Sequence, residues 1–265
     1  MKVYISLFRI RFINGLQYRI AAVAGLATQF AWGFMEILAF LAFYRARPDA
    51  FPMEISHLVS YIWIQQAFLT LLMPWVGVSD AVESVVSGNI VYDLARPLGI
   101  YIRWFIEIVA GRVSKAVLRC IPVLLIAFLL PYPFKMVLPP SVITLLFFFL
   151  SLILGLSVVT AFCVLDYTSS FYTMSRFNAI SMIAADFFAG GYIPLPFFPE
   201  KLRRILELSP FAAMQNIPLR IYSGSITGVD AIKSILLQVF WLAFLIITGR
   251  MLMNAALKRL VTQGG

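Results

Sequence analysis

The chain has 265 residues, of which 62% are hydrophobic and 12% charged, against about 25% charged in soluble globular domains. Its net charge is +9, yet the bases flank apolar runs near 20 residues long, so they fit orientation across a bilayer and contact with anionic lipid heads rather than nucleic acid. A soluble domain is thereby excluded, and Cys120 and Cys163, both inside apolar runs, leave no disulfide framework.

At the N-terminus, Lys2, Ser6 and Arg9 fall on one helical stripe and Val3, Leu7 and Ile10 on another. This predicts an amphipathic helix over 2–19 lying along the membrane surface. Six spans follow, at 20–44, 58–78, 113–131, 141–165, 171–193 and 231–248, giving an all-α polytopic membrane protein read as a single transmembrane domain, 1–265. The first run exceeds the signal-peptide core of about 7–15 residues and is expected to be retained. The third span has the shortest apolar core. Arg112, Lys115 and Arg119 share one stripe there at i, i+3 and i+7 and are expected to snorkel to the cytoplasmic interface, with 98–112 as an interfacial lead-in.

Six spans place both ends on one side. Thirteen of the 21 Lys and Arg residues then lie on that side, which predicts cytoplasmic termini.

Between spans two and three, Asp80, Glu83 and the Ser87-Gly88 pair predict that the second helix continues into the cytoplasm and stops at Gly88. The following NIVYDLARPL sets Ile90, Val91 and Leu94 against Asp93 and Arg96, with Asn89 and Pro97 at its ends. A short helix between two breaks, apolar on one face and charged for register, suits a groove on a soluble partner. A solvated turn whose charges only orient the chain is the simpler alternative.

The stretch between spans five and six is long and rich in proline: Pro194, Pro196, Pro199 and Pro210 follow Gly190-Gly191. Pro199 fits a first helical position, Pro210 should stop that helix, and the pieces are too short to cross. They are expected to dip into the outer leaflet and return, which irregular backbone tolerates only when packed against protein or lining a wet cavity.

Two acids lie within apolar runs. Glu36 is about 16 residues into the first span and Asp186 about 15 into the fifth, roughly 24 Å and 22 Å along their helices. Charge at such depth is costly unless paired or hydrated. The pair therefore either biases an exit path toward cationic or proton-coupled cargo or is satisfied structurally by Gln29, Gln65, Gln66 or Tyr192. Glu36, Asp186, Gln65 and Gln66 are the candidate pathway residues.

Catalytic chemistry is missing. There is no GxxxxGK[ST] phosphate loop and no GxSxG elbow, and His57 is the only histidine, which removes an HExxH zinc site. No metal is expected. A proton-driven transporter using the two acids, a membrane enzyme with paired carboxylates, and a non-transporting scaffold remain as other classes.

Taken together, these features resemble the membrane subunit of type-2 bacterial ABC exporters, in the six-span branch that includes daunorubicin- and viologen-exporter-like permeases. The resemblance rests on the surface helix, on SGNIVYDLARPL between spans two and three, and on GGYIPLPFFPEKLRRILELSPFAAMQNIPLRIYSG before the last span, in that order over essentially the whole chain. It implies that 86–98 is a cytoplasmic coupling helix docking on an ABC ATPase subunit. Asp80, Glu83, Asp93 and Arg96 would meet partner charges, and Ser87, Gly88, Asn89, Ile90, Leu94 and Pro97 would shape the segment. It also implies that the N-terminal helix touches the same ATPase and that the outer segment, Gly190 to Pro210, is a re-entrant closure of the exit. Two permeases, identical or different, would pair with two ATPases that hold ATP and Mg, so this chain would bind no cofactor itself. The expected setting is the bacterial inner membrane. The expected activity is drug efflux, the export of a lipophilic or cationic small molecule, with lipid or lipid-linked glycan as the alternative cargo.

Overall fold

The computed structural model describes residues 2–17, 19–75, 80–95, 98–173 and 177–259, and only the backbone of 19–21, 80, 86, 177 and 178. In chain order the helices are α1 (Lys2–Leu16), α2 (Arg19–Ala46), α3 (Ile55–Ala67), α4 (Leu69–Leu72), α5 (Asp80–Val86), α6 (Ile90–Leu94), α7 (Ile100–Leu129), α8 (Val142–Thr173), α9 (Phe177–Phe188), α10 (Glu200–Glu207), α11 (Ile217–Tyr222) and α12 (Gly228–Leu257). No strand occurs among the described residues. Three helical stretches are long and apolar enough to cross a membrane: Ala22–Ala46, Val142–Thr173 and Gly228–Leu257. With its run of Arg103, Glu107, Arg112, Lys115 and Arg119, α7 is not among them.

At the centre stands α3, buried at every position from Leu58 to Ala67. It has α2, α7 and α11 around it, and its apolar residues fill the core between them. The second span is not the continuous helix expected over 58–78 and on to Gly88. It breaks at Phe68, restarts as α4 and ends at Met73, whose backbone is extended. The cause is Pro74, which disfavours helical geometry in the residue before it. A separate helix, α5, then leads to Gly88 at φ +77°, so the expected stop holds while the continuity does not.

The third span also differs. The chain from Ile100 to Leu129 is one helix with Pro122 inside it, so the expected lead-in over 98–112 and the span from 113 share a single continuous helix. Its basic stripe does not snorkel as a unit: Arg112 is 3% exposed, Arg119 packs over Gly25, and only Lys115 is exposed. α8 runs past Asp166, where the span was expected to close, and the Asp166 carboxylate accepts Ser181 Oγ of α9. The fifth span was expected over 171–193, but Phe171 to Thr173 belong to α8 and α9 begins only at Phe177.

The α1 helix forms as expected and packs on α7, held by Arg11 Nη2 donating to Glu107 Oε1 at 3.1 Å. Its inward face is set by Leu7, Phe8, Arg11 and Phe12, while Val3 and Ile10 of the expected apolar stripe point outward. That outward row leaves an apolar strip unpartnered within the chain.

Between α9 and α12 short helical pieces alternate with turns, buried at 189–191 and from Ala212 to Leu219 and exposed along much of α10. Pro199 is the N-cap of α10 rather than its first residue. That helix ends at Glu207, and Pro210 opens the next helical stretch instead of stopping one. Within this stretch a π turn spans Ala212–Asn216. Pro218 lacks the N–H that would bond Met214 four residues back, which frees the Met214 carbonyl. That oxygen packs so closely on Gly155 of α8 that a Cβ there would collide with it. The amide of Gln238 on α12 satisfies part of the turn, donating to Ala213 O at 2.9 Å and to Ser151 O at 3.1 Å. Non-helical backbone inside a membrane protein requires such internal partners.

Candidate functional site: cavity, seal and elbow

A cavity of about 610 Å³ lies between α2, the α3–α4 break and the residues after α9. It is mostly apolar, with Trp32, Met35, Leu69 and Met73 in its wall, and carries a few convergent polar groups: Gln29, Glu36, Gln66, Thr70, Arg119 and Tyr192. Apolar walls with sparse polar groups are the usual form of a small-molecule site. Gln29 Nε2 donates to Gln66 O at 2.8 Å, tying α2 to α3. Glu36 is the acid among these polar groups. Its Oε1 is buried and accepts no hydrogen bond among the described residues.

Asp186 has the opposite setting. It is fully buried and accepts Trp75 Nε1 at 2.8 Å and Gln215 Nε2 at 3.3 Å. Tyr61 OH donates to Gly190 O at 3.2 Å, and Gln65 Nε2 to Gly191 O at 2.5 Å. Gly190 has φ +87°, a conformation that costs a side-chain-bearing residue about 1–2 kcal/mol. A Cβ on Gly191 would run into the Asp186 carboxylate and the Gln215 amide. The two glycines thus let the chain turn tightly over the acid while α3 holds both carbonyls. Beyond them, Pro194 caps a 3-10 turn, Leu195–Phe197, that contains Pro196. Phe197 sits between Phe40 of α2 and Phe51, with ring centroids 4.8 and 4.9 Å away. Together these residues form a seal beside Asp186, packed against α2 and α3.

The two acids are therefore set apart: Glu36 lines the cavity, while Asp186 is held by Trp75 and Gln215 beside the seal. Of the candidate pathway glutamines, Gln66 lines the cavity and Gln65 belongs to the seal.

Arg112 closes the end of α4. Ending α4 at Met73 leaves carbonyls bare, and the buried guanidinium covers them. Nη1 donates to Met73 O at 2.7 Å and Leu71 O at 3.3 Å, and Nη2 to Pro74 O at 3.0 Å and Cys163 Sγ at 3.4 Å. Below this point the elbow, α5 and α6, folds back on the chain. Ile90 is 1% exposed, while Tyr92 is 73% exposed and Val91 and Leu94 also face outward. Glu83, Ser87, Gly88 and Asn89 are exposed as well. Asp93 is engaged internally: Arg103 Nη1 donates to its Oδ1 at 2.6 Å. The Asp80 side chain, Arg96 and Pro97 lie outside the described residues.

Sequence reasoning passes over Trp75, Gln215 and Gln238, and assigns Arg112 to the surface. Gln238 carried a usable cue, since an amide within an apolar run implies an interior partner.

Long apolar helices beside a cavity with apolar walls and sparse polar groups define a multi-pass membrane protein with room for a small molecule. Residues 30–264 match the family described as ABC-2 family transporter protein, and the chain belongs to that family, the permease component of ABC transporters. No curated protein matches the chain.

Proposed function

We propose that the chain, 1–265 as one permease domain, is the permease of an ABC exporter in the bacterial inner membrane, moving a lipophilic or cationic small molecule out of the cytoplasm or inner leaflet. Six crossings are formed by α2, α3 with α4, α7, α8, α9 and α12, leaving both termini in the cytoplasm. A separate ATPase holds ATP and Mg, and a second permease, identical or different, completes the pathway. The elbow is the coupling helix, with Val91, Tyr92 and Leu94 as its partner face, and the seal from Gly190 to Pro210 closes the exit. These finer assignments follow the resemblance to daunorubicin- and viologen-exporter-like permeases.

One observation carries the cargo assignment. The buried, unpartnered Glu36 oxygen lies in a cavity of about 610 Å³ whose wall also bears Trp32, Trp75 and Tyr192. A carboxylate among aromatic faces favours a large organic cation over an anion.

The test is ATPase stimulation in the reconstituted complex across organic cations, lipids and lipid-linked glycans. Stimulation by cations is expected. Stimulation by glycans alone would assign the alternative cargo, and uphill pumping by the permease without its ATPase would reverse the proposal in favour of a proton-driven carrier.

A further inference from the structure

The short helix α10 contributes nothing to the cavity of about 610 Å³ and carries a surface of its own. Leu206 pins it inward, packed in a small core with Leu195 and Ala212. Leu202, Ile205 and Leu208 stay bare, the last two 68% exposed. Spaced three apart, they form a row that slants along the helix. The end of this row is tied to a membrane-crossing element. Trp241 Nε1 donates to Leu208 O at 2.9 Å, and Trp241 lies within Gly228–Leu257, long and apolar enough to span a bilayer. Trp241 packs in turn on Phe240 and Phe244, both exposed.

The charges of α10 do not cancel. Both of its acids are taken: Glu200 pairs with Arg204, and Glu207 accepts Arg220 Nη1 at 2.6 Å. Lys201 and Arg203 make no ion pair and no side-chain hydrogen bond among the described residues. They stand one residue before and one after Leu202, which at about 100° per residue sets them on either side of the apolar row. An apolar row with bases along both edges suits a helix in the head-group layer, where the stems of Lys and Arg reach up to the phosphates.

We propose that α10 is a binding surface for anionic phospholipid: Leu202, Ile205 and Leu208 rest on acyl chains, and Lys201 and Arg203 hold head-group phosphates. A soluble phosphate would match the two bases but leave the apolar row in water, whereas a lipid covers both. A choline-headed lipid brings a cation that cancels its phosphate, so two unmatched bases favour a head of net negative charge. Lipid is also the solvent already in place beside α12, to which the row is joined through Trp241. Because Leu206 of the same helix packs with Leu195 of the 3-10 turn in the seal, the bound lipid steadies that turn.

The test uses the purified full chain in nanodiscs holding equal amounts of glycerol-headed anionic phospholipid and choline-headed phospholipid. A photoactivatable trace of either lipid, matched in acyl chain, is cross-linked, and the adducts are mapped by peptide mass spectrometry. Adducts on 199–209 should favour the anionic probe roughly tenfold. Lys201→Gln with Arg203→Gln should erase that preference while both probes still label the apolar row. Lys201→Gln alone, at an exposed position that leaves the core intact, should lower it to about threefold. Leu202→Asn with Ile205→Asn should reduce labelling by both probes. Equal labelling of 199–209 by the two probes overturns the proposal, as does a preference that survives removal of both charges. Loss of the anionic adducts on adding inorganic phosphate would assign a soluble anion instead, and cross-linking of 199–209 to a second copy in place of lipid would assign this face to a permease dimer; either result removes the lipid.

Discussion

Arg103 Nη1 lies 2.6 Å from Asp93 Oδ1, joining the elbow to the first turn of α7. The same guanidinium reaches Glu107 through Nε at 3.1 Å, and Glu107 accepts Arg11 of α1, also at 3.1 Å. Four alternating charges thus tie α1, α7 and α6 together. Arg103 and Asp93 are mostly shielded from solvent, with side chains 7% and 16% exposed, so salt screens this pair less than a surface pair. The elbow and the N-terminal helix are therefore positioned to move with α7.

Asp93→Arg should lower substrate-stimulated ATP hydrolysis in the reconstituted complex, and adding Arg103→Asp in the same chain should restore part of it. A double-mutant cycle on permease stability should return a coupling of about 0.5–3 kcal/mol. An Asp93 that instead met a partner charge would give no rescue.

Tyr92→Asp combined with Leu94→Asp should abolish co-purification of the ATPase while leaving the melting temperature of the isolated permease nearly unchanged, since exposed substitutions usually shift stability by about 0.5 kcal/mol or less. Ile90→Asp should do the reverse damage: it places a charge at a position 1% exposed and is expected to deplete folded permease. Equal effects of the two changes would remove the distinction between the inner and outer faces of α6.

Glu36→Gln should reduce transport of an organic cation roughly tenfold, or about 1.4 kcal/mol, and leave a neutral cargo of similar size little affected. Asp186→Asn should lower thermal stability and affect both cargos alike, because its carboxylate serves Trp75 and Gln215 rather than the cavity. Paired transport assays in proteoliposomes separate these outcomes, and cation selectivity lost in Asp186→Asn but kept in Glu36→Gln would invert the assignment.

Arg112→Met should strip the α4 end of its donors, at about 1–3 kcal/mol for each buried carbonyl left bare. Arg112→Lys should recover little, because a single ammonium cannot reproduce the planar fork that meets Met73 and Pro74 together. Melting curves of the purified permease check both; full rescue by lysine would mean that charge, not geometry, closes the break.

Much of the candidate site was half visible. Glu36 and Asp186 announce themselves as acids inside apolar runs, but only their neighbours divide them: one borders a cavity and the other lies under two glycines. Gly88 and Gly190 could be placed at turns because a positive φ selects glycine. The inward turn of Ile90 could not be read, since a five-residue helix has too few positions to reveal which side meets the bundle.

Long apolar runs determined by themselves that this chain is a helical membrane protein, because burying backbone in lipid demands helices and hydropathy is a local sum. Hence α2 begins and ends within two residues of the run 20–44, and the run 231–248 lies inside α12. Tertiary structure alone decided where polar groups end up. Arg112 finds its carbonyls some 40 positions earlier in the chain, and Gln238 finds Ser151 across 87. A buried charge or amide is settled by whichever backbone atoms the packing brings within about 3 Å, and no local pattern carries that distance.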